Sequence, residues 1–145
     1  MNVDYENPWL YKDTTFSSDD IGDFFGYVYL ITNNKNGRQY IGRKYFWQFR
    51  TPKGKKRKVK SESDWKKYYG SCPELKEEIK QSGKQNFSRV ILSLHYTKGK
   101  TNYEETRQLF KHKVLTEQLD DGTPKYYNSN ILSRYFRKDY YGTES

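Results

Sequence analysis

Tyr29 and Tyr40 stand eleven residues apart, and Gly42, Arg43 and Lys44 follow the second of them directly after Ile41. A polar turn, Asn33-Asn34-Lys35-Asn36-Gly37, separates the two tyrosines. Such a set suits phosphodiester hydrolysis, in which a water loses a proton, a pentavalent phosphate is neutralised and a leaving oxygen is stabilised. A tyrosine accepts the proton only if its pKa, about 10 when unperturbed, is lowered by neighbouring cations or a metal ion. Arg43 and Lys44 would supply that field. Gly42, without a side chain, lets backbone or phosphate come close. A carboxylate on an opposing helix would hold a hard divalent ion through oxygen, with waters completing its shell. Each tyrosine taken singly also has a plain alternative, strand packing, in a chain with fifteen of them.

These side chains need a rigid support. Residues 27–32 are rich in β-branched and aromatic types and read as a strand. Asn36-Gly37 is a strong turn signal, and residues 38–42 return as a second strand, so both tyrosines sit on one β-hairpin. Residues 43–64, with Thr51-Pro52, Gly54 and the run KGKKRKVK, read as an excursion without structure of its own until it meets a partner. Ser61 or Ser63 could cap a short helix over 64–69. Pro73 opens another helix, carrying Leu75 and Ile79 and ending at Gly83. Residues 86–96 form a third strand, its apolar centre implying burial on both faces. A long helix over 102–119 would turn Leu109, Phe110, Val114 and Leu115 to the core. The expected fold class is α+β: a small three-stranded antiparallel sheet flanked by helices. An N-terminal arm (1–25) precedes the domain (26–130, with a basic insertion at 43–64), and a tail (131–145) follows.

The chain has 145 residues, enough for a single core, and its 18% aromatic content argues against disorder despite 31% charged residues. Its net charge is +9, and residues 43–67 alone carry that excess, with eleven basic side chains against Glu62 and Asp64. Concentrated positive charge beside aromatics is the footprint of a polyanion. Arg50, Lys53, Lys55, Lys56, Arg57, Lys58, Lys60, Lys66 and Lys67 are the expected nucleic-acid contacts. A membrane surface fits less well, since no amphipathic helix accompanies the run. No apolar stretch approaches the ~20 residues of a membrane span, and the start of the chain lacks the pattern of a signal peptide. Cys72 is the sole cysteine, which excludes an internal disulfide and a four-thiolate zinc site. The expected location is cytoplasmic.

Tyr27-Val28-Tyr29, the spacing to Tyr40, and Tyr40-Ile41-Gly42 resemble the paired motifs of the GIY-YIG nuclease superfamily. The first motif departs at Tyr27, where the family usually has glycine, although Gly26 is adjacent. DWKKYYGS (64–71) resembles the helix after the second motif, with Tyr68 at the place that faces the site. NFSRVIL is similar to the third strand, and YYN places Asn128 at a late asparagine. YEETRQL resembles the helix that supplies the metal-binding glutamate, Glu105 in preference to Glu104, because Leu109 follows Glu105 by one turn. NPWLY, YIGRK and SESDWKKYYGS look nearest to the free-standing endonucleases of phages related to the Seg homing enzymes. The resemblance implies a DNA endonuclease using Mg²⁺ (or Mn²⁺), with Tyr29, Tyr40, Gly42, Arg43, Lys44, Tyr68 and Asn128 in its site, leaving a 5′-phosphate. Asp64 occupies the position where the family usually has arginine; Arg43, Lys44 and Arg50 are the candidates to replace that cation. This departure, with the altered first motif, supports an alternative: a nucleic-acid-binding module that kept the fold and lost the chemistry.

Overall fold

The turn at Asn33–Gly37 is closed by its own side chains. Asn33 Oδ1 accepts from Lys35 N and Asn36 Oδ1 from Arg38 N, while Gly37 takes φ +81°. Strands β3 (Gly26–Asn33) and β4 (Gln39–Tyr45) run antiparallel from it, as expected. The computed structural model describes residues 5–141; residues 1–4 and the last four of the expected tail lie outside the described residues.

The sheet is larger than the sequence suggests. It is mixed and five-stranded, in the order β2 (Thr14–Thr15), β1 (Leu10–Tyr11), β7 (Phe87–His95), β3 and β4. β7 pairs antiparallel with β3, with a bulge in register between Val28 and Tyr29. The extra strands come from the N-terminal residues: β1 runs parallel to β7, and β2 closes the edge. The expected three-stranded antiparallel sheet is therefore corrected to this five-stranded one. Two-residue strands carry no alternation to read, and their pairing depends on a partner some eighty residues away.

Helix α1 (Pro73–Ser82) and helix α2 (Lys98–Lys111) serve different core layers. Trp9, Phe16, Tyr27, Tyr29, Phe46, Trp65, Leu75 and Ile79 form the first; Val28, Ile41, Leu109, Val114, Leu115 and Ile131 form the second. α2 begins before the expected 102, because Thr97 Oγ1 caps it by accepting from Lys100 N at 3.1 Å. It ends before 119, where Lys113 turns to φ +51°; Val114 and Leu115 reach the core from the following loop, and Phe110 is half-exposed. The expected helix over 64–69 is a single 3-10 turn, Trp65–Lys67, without a side-chain cap.

Two further expectations change. The basic insertion is not structureless: β5 (Trp47–Arg50) and β6 (Val59–Glu62) form an antiparallel hairpin with an exposed tip at 51–58. On β7 only Phe87, Arg89 and Ile91 are fully buried, so the strand is not buried on both faces. No helix among the described residues is long and apolar enough to cross a membrane.

Arg89 was invisible as a core residue in the sequence. It is 1% exposed and has no carboxylate partner among the described residues. Its guanidinium instead donates to the carbonyls of Asn7 (2.6 Å), Lys66 (2.9 Å) and Tyr68 (2.7 Å), and lies over Tyr69. It thus ties the N-terminal segment to the 65–68 turn. Arg89→Met should lower unfolding stability by about 3–5 kcal/mol in denaturant titration, because those carbonyls lose their donors. Arg89→Lys should recover only part of this, since one ammonium cannot reproduce the planar fork. Wild-type stability in Arg89→Met would show that the guanidinium ties nothing together.

Candidate active site

The hairpin register puts Tyr29 opposite Gly42 and Tyr40 opposite Ile31, so both phenols emerge on the face that also carries Lys44. Their ring centroids are 6.2 Å apart, and Tyr68 stands edge-on to Tyr29 at 6.0 Å. A Cβ added at Gly42 would fall 2.6 Å from Tyr29 Cζ and 3.0 Å from Tyr40 Cε2. Glycine is needed there because the rings fill the space a side chain would take. Gly70, at φ +88°, closes the other side, its Cβ position 3.1 Å from Tyr40 Cε2. Burial raises the Tyr29 phenol well above its ordinary pKa, and the Tyr40 and Tyr68 phenols add to the shift. Tyr40 is also raised by burial, opposed by Ser71, whose Oγ lies 3.5 Å from its hydroxyl.

Asn128 fixes the second motif from behind. Its Oδ1 accepts from Ile41 N at 3.1 Å and its Nδ2 donates to Ile41 O at 2.8 Å. Gln39 N donates to Lys125 O, and Tyr127 N donates to Gln39 O, so residues 125–128 cover the edge of β4 as a strand would. The Asn128 side chain continues this pairing by one step. It holds the backbone between Tyr40 and Gly42 and makes no hydrogen bond to either phenol.

The cations divide between the two faces of β4. Lys44 Nζ pairs with Asp64 at 2.6 Å and lies 4.0 Å from the Tyr68 ring centroid. That pairing draws the Asp64 carboxyl below its ordinary pKa. Arg43 projects to the opposite face, where it donates to Glu105 Oε1 at 2.9 Å and to Tyr45 Oη at 3.1 Å. Burial raises the Glu105 pKa even beside that guanidinium. Glu104 turns away to Arg107 at 2.6 Å and Gln108 at 2.7 Å, and its pKa falls to about 2.

Around the edge of β4 the two faces meet in one cleft of about 900 Å³, lined by Tyr29, Tyr40, Gly42, Arg43, Lys44, Arg50, Tyr68 and Glu105. Residues 9–131 match the family model described as "Putative endonuclease segE, GIY-YIG domain". The chain belongs to the GIY-YIG nucleases, in their Seg-like group. No curated protein and no solved structure matches it. A nuclease family hydrolyses phosphodiesters, and its substrate is a nucleic acid.

In this GIY-YIG domain the cleft gathers eight of the expected residues and leaves others outside. Lys53, Lys55, Lys56, Arg57 and Lys58 stand at the hairpin tip. Lys60 lies over the Trp47 ring at 4.4 Å, Lys66 over Tyr5 at 5.6 Å, and Lys67 is exposed. Asn128 lines a smaller hollow of about 430 Å³ that shares Tyr40, Arg43, Ser71 and Glu105 with the cleft. Ser71, Trp47, Gln48 and Asp64 also line the main cleft and went unassigned in the sequence. For Gln48 the alternation of Trp47-Gln48-Phe49-Arg50 was the available signal.

Among the described residues no group of three or more His, Cys, Asp or Glu could hold a metal ion. Three carboxylates line the cleft: Asp64 is paired with Lys44, Glu62 lies at the base of the β5–β6 hairpin, and Glu105 comes from α2 on the opposite side. Glu105 is the one the resemblance points to. One carboxylate suits Mg²⁺ or Mn²⁺, which keep several waters and complete their shell with substrate phosphate oxygens. It does not suit zinc, which takes three or four nitrogen or sulfur ligands.

Proposed function

We propose that this protein is a metal-dependent DNA endonuclease in which tyrosine assists the attack of water on a phosphodiester. The observation that carries the reading is the convergence of Tyr29, Tyr40, Lys44 and Glu105 on one cleft beside a hairpin of concentrated positive charge. Lys44, held by Asp64, takes the part of the helix cation that the family usually carries, and neutralises phosphate charge next to Tyr68. Tyr40 and Tyr29 face the attacking water, and Asn128 positions them through Ile41; because burial raises both phenols, either would take the proton only where Lys44 and a bound ion lower it again. Glu105 would hold the divalent ion, which when bound supplies a Lewis acid to the phosphate. Arg43 must then release Glu105, and its guanidinium becomes available to the substrate.

Supercoiled plasmid incubated with Mg²⁺, with Mn²⁺ and with EDTA tests the reading directly. Nicking or linearisation with the ions and none with EDTA is the expected result. Binding without cleavage under every condition would favour the alternative, a nucleic-acid-binding module, to which the Arg43–Glu105 pair also lends support.

The hairpin tip has a separate expected signature. Each phosphate contact contributes about 0.9 to the slope of log K against log salt, through counterion release. Replacing Lys55, Lys56, Arg57 and Lys58 with Ser should flatten that slope by about 2 to 4. Single-turnover cleavage at saturating protein should change far less, because the tip holds substrate outside the cleft. An unchanged slope would mean that the tip does not touch DNA.

A further inference from the structure

The β5–β6 hairpin has two unlike faces. Its base is fixed to the core: Phe46 is fully buried, Ser63 N donates to Phe46 O at 2.7 Å, and Ser63 Oγ donates to Tyr45 O at 2.6 Å. The face bearing Trp47, Phe49 and Lys60 is held by side chains, with Phe49 stacked on Phe25 at 6.5 Å and Lys60 over Trp47. The other face bears Gln48, Arg50, Val59 and Ser61. Gln48 Nε2 donates across the strands to Ser61 Oγ at 3.3 Å, and Val59, as exposed as Phe49, has no aromatic ring stacked on it among the described residues. Gln48 and Arg50 line the cleft, as Trp47 and Glu62 of the first face do at the hairpin base, so the hairpin continues the wall of the cleft.

We propose that this hairpin enters the major groove of duplex DNA and reads base edges through Gln48, Ser61 and Val59, which sets sequence preference beside the cut; this rests on the endonuclease reading above. A major groove about 12 Å wide admits a two-stranded ribbon. A glutamine amide offers a donor and an acceptor that match adenine N6 and N7, a serine hydroxyl serves either role, and an apolar side chain contacts the thymine methyl. The exposed cations at 53–58 extend past these readers and meet phosphates at the groove walls. Duplex RNA is excluded as the target, because its major groove is too deep and narrow for such a ribbon. Because the hairpin base is fixed to the core, the bases it reads lie at a constant offset from the scissile phosphate.

The test is a binding selection from randomised duplex DNA in EDTA, where no ion-dependent cleavage intervenes. Wild type, Gln48→Ala, the double variant Gln48→Ala/Val59→Ala and the four-fold Ser variant of the tip are compared, each checked for an unchanged melting temperature. Wild type should enrich a short motif. Gln48→Ala should lower discrimination at one or two base pairs by about 10- to 100-fold, with affinity for random DNA kept within about threefold. The tip variant should weaken binding to all sequences alike. No enriched motif in wild type, an unaltered motif in both reader variants, or equal affinity for duplex RNA would each overturn the proposal. Selective binding by a protein that never cuts plasmid would sink the endonuclease reading and leave the ribbon standing.

Discussion

Glu105→Gln should lower plasmid cleavage by roughly 10³-fold or more and leave DNA affinity in EDTA intact. The expected size follows from the several kcal/mol that a bound ion contributes to transition-state charge, at 1.36 kcal/mol for each tenfold in rate. The amide keeps the shape of the side chain but is a poor ligand for a hard cation. It should not harm the fold. A carboxyl whose folded pKa is raised costs stability once it ionises, so above that pKa the neutral amide relieves a penalty. Arg43, which is 42% exposed along its side chain, is not stranded by losing its partner. Glu104→Gln is the matched control and should cut normally, since Glu104 is engaged by Arg107 and Gln108 away from the cleft. A defect in Glu104→Gln with normal cutting by Glu105→Gln would move the ligand by one position. Normal cutting by both would remove the carboxylate from the chemistry.

The parts legible in the sequence were those whose signals are local. Asn36-Gly37 between β-branched runs gave the β3–β4 hairpin, and Pro73 with Gly83 gave α1 nearly to its ends. Helical spacing to Leu109 told the faces of the acidic pair apart and no more: Glu105 lines the cleft, and Glu104 meets Arg107. What stayed hidden depends on distant partners. Leu10–Tyr11 becomes a strand only because Val90 and Ile91 are there to pair with it. An arginine inside NFSRVIL looks like a solvated strand residue until four backbone carbonyls surround it. Like charge and Pro-Gly content suggested a structureless insertion. The local alternation of residues 47–50, anchored by Phe46 and Phe25, outweighed them. The cationic field expected on the tyrosines was misjudged for a geometric reason. Consecutive strand residues point to opposite faces, so only Lys44 reaches the phenol side, while Arg43 meets Glu105.

Tyr29→Phe and Tyr40→Phe should each lower cleavage by ~10²–10⁴-fold, the usual range for loss of a positioned proton-transfer group. Phenylalanine keeps the ring, so the packing against Gly42, Gly70 and Tyr68 survives and the melting temperature should hardly move. Tyr27→Phe is the internal control. The Tyr27 hydroxyl is fully buried and has no hydrogen-bond partner among the described residues. Its removal should leave activity unchanged and raise stability by up to about 1 kcal/mol, because an unpaired buried hydroxyl costs free energy. The pH profile distinguishes chemistry from packing. Burial raises both phenols, so their ionised fraction is small at neutral pH and still growing beyond the ordinary value of about 10. If a phenolate takes the water proton, log kcat/KM of the wild type should climb from about pH 7 to about pH 9 without levelling, and the variant lacking that phenol should lose the slope. Bound Mg²⁺ would shift the rise toward lower pH without removing it. Full activity and a wild-type profile in both Tyr29→Phe and Tyr40→Phe would return the two tyrosines to the role of aromatic packing.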